Sequence, residues 1–171
     1  MSLFFLPVVI KTNTTTMKIF YHKVGAVIYG IWGLIHVAGG AMLLADATSD
    51  NPAKALISIG SAFPESEIPA VTHAATAGVL AFHSFNLLWM GLVVAIIAFT
   101  MNWKNSKPGF WFNTAIIGFA DIGLIVFILA PGIVKLEEGI IGPVLWPLGM
   151  FFLLKGLRKK KLAQTVSTST K

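Results

Sequence analysis

"VGAVIYGIWGLIHVAGGAMLLA", residues 24–45, decides the fold. It runs for 22 residues without an aspartate, glutamate, lysine or arginine. A helix needs about 20 mostly apolar residues to cross the hydrocarbon core of a bilayer. The apolar residues form an unbroken block instead of recurring at strand or surface-helix spacing, which reads as a membrane span. Three further blocks follow, at about 70–99, 110–130 and 139–154. The last is the shortest and carries Pro143 and Pro147. Proline is tolerated where neighbouring helices re-satisfy the freed backbone, so a continuous but bent helix is expected there. The fold class is therefore all-α, an integral membrane four-helix bundle.

Composition agrees. Of 171 residues, 56% are hydrophobic and 12% charged, against about 25% charged in soluble domains. The chain has no cysteine, which excludes disulfides, thiolate zinc sites, iron–sulfur ligation and CxxC-dependent electron transfer to quinones. The net charge of +6 implies no nucleic-acid partner, because the basic residues flank the spans. Lys18 and Lys23 precede the first span, Lys104 and Lys107 separate the second and third, and "KGLRKKK" (155–161) follows the fourth. The two other loops hold Lys54 and Lys135 beside Asp46, Asp50, Glu65, Glu67, Glu137 and Glu138. By the positive-inside rule both termini and the middle loop are cytoplasmic. A multi-pass protein of a bacterial-type cytoplasmic membrane is expected, with the lipid bilayer as its solvent.

Outside the spans the chain is less informative. Residues 1–16, "MSLFFLPVVIKTNTTT", are too short in apolar content to span and lack a positive start, so they read as a loose extension, with Met17 an alternative beginning. Asn51–Pro52 suits the start of a short helix over 52–62, on the membrane surface or over the bundle mouth, and Pro64 ends it. Residues 162–171 lack the apolar content to pack and are expected to be disordered. The basic segment before them is a topological stop, or a contact for anionic lipid.

Ionisable residues within spans cost at least a few kcal/mol on insertion scales and face the bundle interior or a cavity. The candidates are His36, His83 and Asp121, with Asn86 and Asn113 as uncharged companions. Counted from the outer ends of their spans, His36 and Asp121 lie roughly 13 Å deep and His83 roughly 18 Å, at 1.5 Å per residue. His36, His83, Asn86 and Asp121 are therefore expected to share one interior polar site. Trp32, Gly33, Gly39 and Gly40 share the face of His36. Gly33, Gly39 and Gly40 are expected to let a helix or a flat ligand approach the backbone. Thr76, His83, Asn86 and Met90 line one stripe of the second span; Thr114, Gly118 and Asp121 line one of the third. The fourth span, without an ionisable group, reads as packing. His22 and His73 lie near helix ends, and Tyr29, Trp89, Trp103, Trp111 and Trp146 read as interface anchors or bundle packing.

Several chemistries use such a set. A polar clasp joins helices through an Asp–His pair. Haem b needs two imidazoles at matching depth, His36 and His83 here, but no arginine stands near to pair its propionates, only Lys54. Two histidines and a carboxylate (His36, His83, Asp121) can hold a divalent metal, or make a histidine a general base, although no HExxH-like spacing supports either. A pocket can take a quinone headgroup, a sterol-like lipid or a passing proton. Four helices seldom enclose an aqueous path alone, so transport implies a homo-oligomer, and a larger membrane complex fits equally. The favoured reading is a non-enzymatic membrane component that binds a lipid-soluble ligand or a partner subunit; the alternative is a haem- or metal-dependent membrane redox protein. Topology is directly checkable: a reporter fused at the C-terminus or after residue 105 is expected on the cytoplasmic side, and one inserted after residue 50 or 135 on the opposite side.

Overall fold

The computed structural model describes residues 20–169, with side chains as far as residue 159. The extension at 1–16 and the alternative start at Met17 lie outside the described residues. Within them the chain is all-helical, and four helices are long and apolar enough to cross a membrane: Tyr21–Ala47, Ala74–Lys104, Lys107–Leu129 and Leu136–Lys159. The long elements are α1 (Tyr21–Ala47), α3 (Ala74–Thr100), α4 (Lys107–Leu124) and α6 (Ile141–Ser169), with short α2 (Ala53–Ile59) and α5 (Leu136–Gly139) between them.

Local chemistry sets the ends. His73 caps α3 by accepting the Ala75 N–H at Nδ1, 3.2 Å. Ser106 caps α4 through its hydroxyl and the Gly109 N–H, 3.4 Å, with Pro108 in the first turn, where its missing donor costs nothing. Asn105, in the left-handed region at φ 55°, turns the chain between α3 and α4 and donates from Nδ2 to the Gly156 carbonyl, 3.0 Å. Beyond Leu124 the third span widens into a π turn at Ile125–Leu129. Pro147 lies inside α6, which stays helical through it and continues to Ser169, past the point where the composition of residues 162–169 led us to expect disorder.

Neighbouring long helices run antiparallel, so α1's start, the α3–α4 turn and the later part of α6 share one end, which carries Lys23, Lys104, Lys107, Lys155, Arg158 and Lys159. The opposite end carries the acidic loops. Helix α1 is central and packs most intimately on α3. A Cβ on Gly33 would sit 2.7 Å from the Gly91 carbonyl oxygen, and one on Gly40 2.5 Å from the Leu88 nitrogen. Backbone meets backbone at both levels, the close approach that small residues permit between membrane helices. Gly39 has nothing within 4 Å of such a Cβ. Gly33 and Gly40 are two helical turns apart on one face, and Gly39 is rotated about 100° away from it. The small-residue face therefore meets α3 at two positions instead of three, and it is already occupied, so it is not open for another copy.

Helix α2 closes the acidic end, where Ala55 is buried with Ala47 and Leu80. At the centre Tyr29, Trp32, Val94, Ala98, Phe110, Ile117 and Leu153 form the core in which all four spans meet. Gly33→Ala is expected to lower stability in detergent by about 1–3 kcal/mol through overpacking against backbone. Gly39→Ala, with open space around it, is expected to be neutral or to stabilise by up to about 1 kcal/mol through helix propensity. Thermal unfolding of the two variants side by side checks both.

Candidate functional site

The interior polar groups are tied together by two sets of hydrogen bonds. In the first, the Tyr29 hydroxyl donates to the Trp146 carbonyl, 3.3 Å. That direction makes Thr114 the donor in its 3.1 Å bond to the Tyr29 oxygen. The Trp146 indole N–H returns to the Thr114 carbonyl, 3.0 Å. One closed ring thus links α1, α4 and α6. Gly149 makes room for the Tyr29 ring and Gly118 for the Trp146 indole, either of which a Cβ would strike.

In the second set, about one turn farther from the lysine-bearing end, the Trp32 indole N–H donates to Asp121 Oδ1, 3.2 Å. Asp121 is 1% exposed and lies within a turn of the midpoint of its span, Lys107–Leu129. Gly142, in the first turn of α6, lies against this carboxyl: a Cβ there would be 2.8 Å from Oδ1. Asp121 Oδ2 is buried and has no hydrogen-bond partner among the described residues. The His36 ring stacks on the face of the Trp32 indole, centroids 3.6 Å apart and planes 17° from parallel. Its Nδ1 is 2.9 Å from the Trp32 carbonyl. A carbonyl only accepts, so Nδ1 carries the hydrogen and Nε2 is left as an acceptor. Trp32 therefore joins Asp121 at its edge to His36 at its face.

His83 is not part of this assembly. It is exposed on α3 and has no hydrogen bond among the described residues. The register explains why. With Gly33 against Gly91 and Gly40 against Leu88, His36 is level with Met90 and His83 with Leu43, about seven residues or roughly 10 Å apart along the axis. Counting depth from helix ends assumes that the ends align, whereas α3 projects past α1: Ala47, the last residue of α1, packs at the level of Leu80. The two imidazoles consequently miss the common level that sharing one haem iron requires. Among the described residues no group of three or more His, Asp or Glu is placed to hold a metal ion, so the His36–His83–Asp121 triad is not assembled. Asn86, half-buried one turn from His83, accepts the Trp89 indole N–H at Oδ1, 2.8 Å. Asn113 is fully buried and donates from Nδ2 to the Val94 carbonyl, 3.1 Å, pinning α4 to α3.

Tyr29 and Trp146, read from sequence as anchors or packing, are instead members of the ring. Their signal was present as spacing: Gly25, Tyr29, Trp32 and His36 recur at helical intervals on α1, and Gly142, Trp146, Gly149, Leu153 and Gly156 do so on α6. No protein-family model matches the chain, and neither do the curated proteins or the solved structures.

Trp32→Phe is expected to destabilise the bundle by about 1–3 kcal/mol, because Asp121 is left buried with no donor. Adding Asp121→Leu should recover most of that loss, since no acceptor then remains orphaned. Asp121→Asn, whose amide oxygen still accepts from Trp32, should change stability by less than about 1 kcal/mol. Unfolding midpoints of the four proteins in one detergent check this.

Proposed function

We propose that the protein is a non-enzymatic integral membrane component that acts as a homo-oligomer, two copies meeting through the exposed face of α3 that carries Val79, Phe82, His83 and Asn86. On this reading the ring of Tyr29, Thr114 and Trp146, with Trp32–Asp121, is a clasp that sets the mutual position of α1, α4 and α6. The observation that carries it is His83: an imidazole on a membrane-spanning helix, exposed and without a partner among the described residues. Ionisable side chains in spans ordinarily face protein or a water-filled cavity, because a lipid-facing one is costly.

A second copy fits by self-complementarity. The indole of Trp89 occupies Asn86 Oδ1 and leaves the amide nitrogen to donate. A neutral His83 offers one acceptor nitrogen and one donor. A two-fold axis along the membrane normal keeps each residue at its own depth, so it sets His83 beside His83 of the other copy, where the donor of one imidazole meets the acceptor nitrogen of its twin, and Asn86 beside Asn86. Val79 and Phe82, each 67% exposed, supply apolar contact beside them. The lipid-soluble-ligand reading loses His83 and Asn86, and contracts to Asp121, Trp32 and His36.

The absence of native cysteine makes single-cysteine cross-linking unambiguous. Phe82→Cys is expected to give a disulfide-linked dimer in proteoliposomes, and Phe119→Cys, on the 79%-exposed outer face of α4, is not. His83→Leu should weaken dimerisation by about 3- to 30-fold, corresponding to about 0.6–2 kcal/mol for an interhelical polar contact in lipid. A protein that stays monomeric at every protein-to-lipid ratio, or that cross-links through α4, overturns the proposal.

A further inference from the structure

We propose that Asp121 is a proton-binding site supplied from the lysine-bearing end of the bundle by water held along a column of buried polar side chains: Asn102, Asn113 and the Thr114–Tyr29 hydroxyl pair. Among the described residues, five buried side-chain atoms have no hydrogen-bond partner: Asn102 Nδ2 and Oδ1, Asn105 Oδ1, Asn113 Oδ1 and Asp121 Oδ2. They are not scattered. All lie between the α3–α4 turn and the last turn of α4. Asn102, 1% exposed, packs its Oδ1 against Gly109, where a Cβ would come within 2.6 Å. One turn on is Asn113, and beside that Thr114, already bonded to Tyr29.

Buried polar groups in native proteins are satisfied by protein or by ordered water with two to four polar partners. The Asn102 and Asn113 amides supply partners of that kind at adjacent levels. From Asn113 the straight line along α4 to Asp121 is blocked by Ile117, fully buried on the same stripe. The route therefore bends through the Thr114 and Tyr29 hydroxyls; the Tyr29 hydrogen rests on the Trp146 carbonyl, so the last step toward Asp121 needs the hydroxyl to rotate off that carbonyl. Tyr29 is one turn below Trp32, the residue that holds Asp121.

The surroundings of Asp121 suit a proton and not a cation or an ion pair. From α1 it faces Trp32, with His36 stacked behind the indole, and lies within electrostatic reach of Tyr29; from α6 it faces Gly142; one turn before it on its own helix are Ile117 and Gly118. It makes no ion pair among the described residues, where the single salt bridge is Lys135–Glu138. Trp32 donates to Oδ1, which leaves Oδ2 to carry the hydrogen and act as a donor. A carboxylate ion there would have one donor for its two oxygens, in a medium where an unpaired charge is far more costly than a neutral carboxyl.

The test is infrared spectroscopy of the full chain in phosphatidylcholine vesicles. A protonated-carboxyl C=O band is expected that Asp121→Asn removes and that shifts on transfer to D2O. Asn102→Leu is expected to slow that shift by about tenfold or more, because a bridging water site is lost, and Asn113→Leu to do the same. Asn113→Leu also removes the bond to Val94, so folding is checked by unfolding midpoint; if that variant does not fold, Asn102→Leu, whose side chain makes no bond among the described residues, decides alone. The proposal is overturned by any of three results: no band lost with Asp121→Asn, a band that does not exchange in D2O, or unchanged exchange in a folded Asn102→Leu. In the last case Asn102→Leu should also raise the unfolding midpoint, as expected where a dry, unsatisfied amide is replaced by an apolar side chain of similar size. None of these outcomes bears on dimerisation through α3, which is read separately by cross-linking.

Discussion

Lipid tails are as apolar as leucine, so helices in a bilayer are not driven together by the force that folds soluble domains. What joins three of the four long helices directionally is the ring that passes from Thr114 to Tyr29, to Trp146 and back to Thr114. Its three members come from three helices, and each bond depends on the position of the other two. Trp32 and Asp121 add a fourth bond on the same side of α1. The glycines of α4 and α6 beneath these rings are permissive: they open the space into which large aromatic side chains are inserted. Tyr29 and Trp32 are accordingly among the largest fully buried residues of the protein.

The adjoining flank of α1 is built on a different principle. There Gly33, Gly91 and Gly40 bring two backbones together with no side chain between them. Close backbone contact gives dispersion along a whole helix face but no directional bond. It fixes how far α3 slides along α1, because the small residues fit at only one register. That register raises the acidic end of α3 beyond α1, exposes His83 and leaves α2 to pack across the step at Ala47, Ala55 and Leu80. One sliding distance thus separates the polar residues of α3 from those of α1 and α4. The interior of the bundle becomes an aspartate-centred network, and the exterior of α3 a polar and aromatic face.

Much of this was legible from the residues alone, for reasons particular to each. Four spans were readable because hydrocarbon thickness sets a length that apolar blocks either meet or do not. Asp121 was identifiable as an interior residue because the cost of an ionisable group in lipid permits few other placements. Trp32 was visible as a neighbour of His36 because spacing within one helix is rigid. The ring of Tyr29, Thr114 and Trp146 was not legible, since tryptophan and tyrosine are equally at home at an interface and in a core. Only the glycines spaced beside them on α6 hinted at insertion.

The sequence by itself determined that four helices are long and apolar enough to cross a membrane, and which face of each helix carries polar groups, because helical geometry and hydrocarbon thickness are local constraints. Tertiary structure alone decided which of those faces meet and at what level. Depth counted from helix ends brought His36, His83 and Asp121 together; the register set by Gly33 and Gly40 left His83 outside and joined the other two through an indole. The reason is that rotation and sliding between helices depend on pairwise fit over whole faces, and no spacing within one helix contains that information.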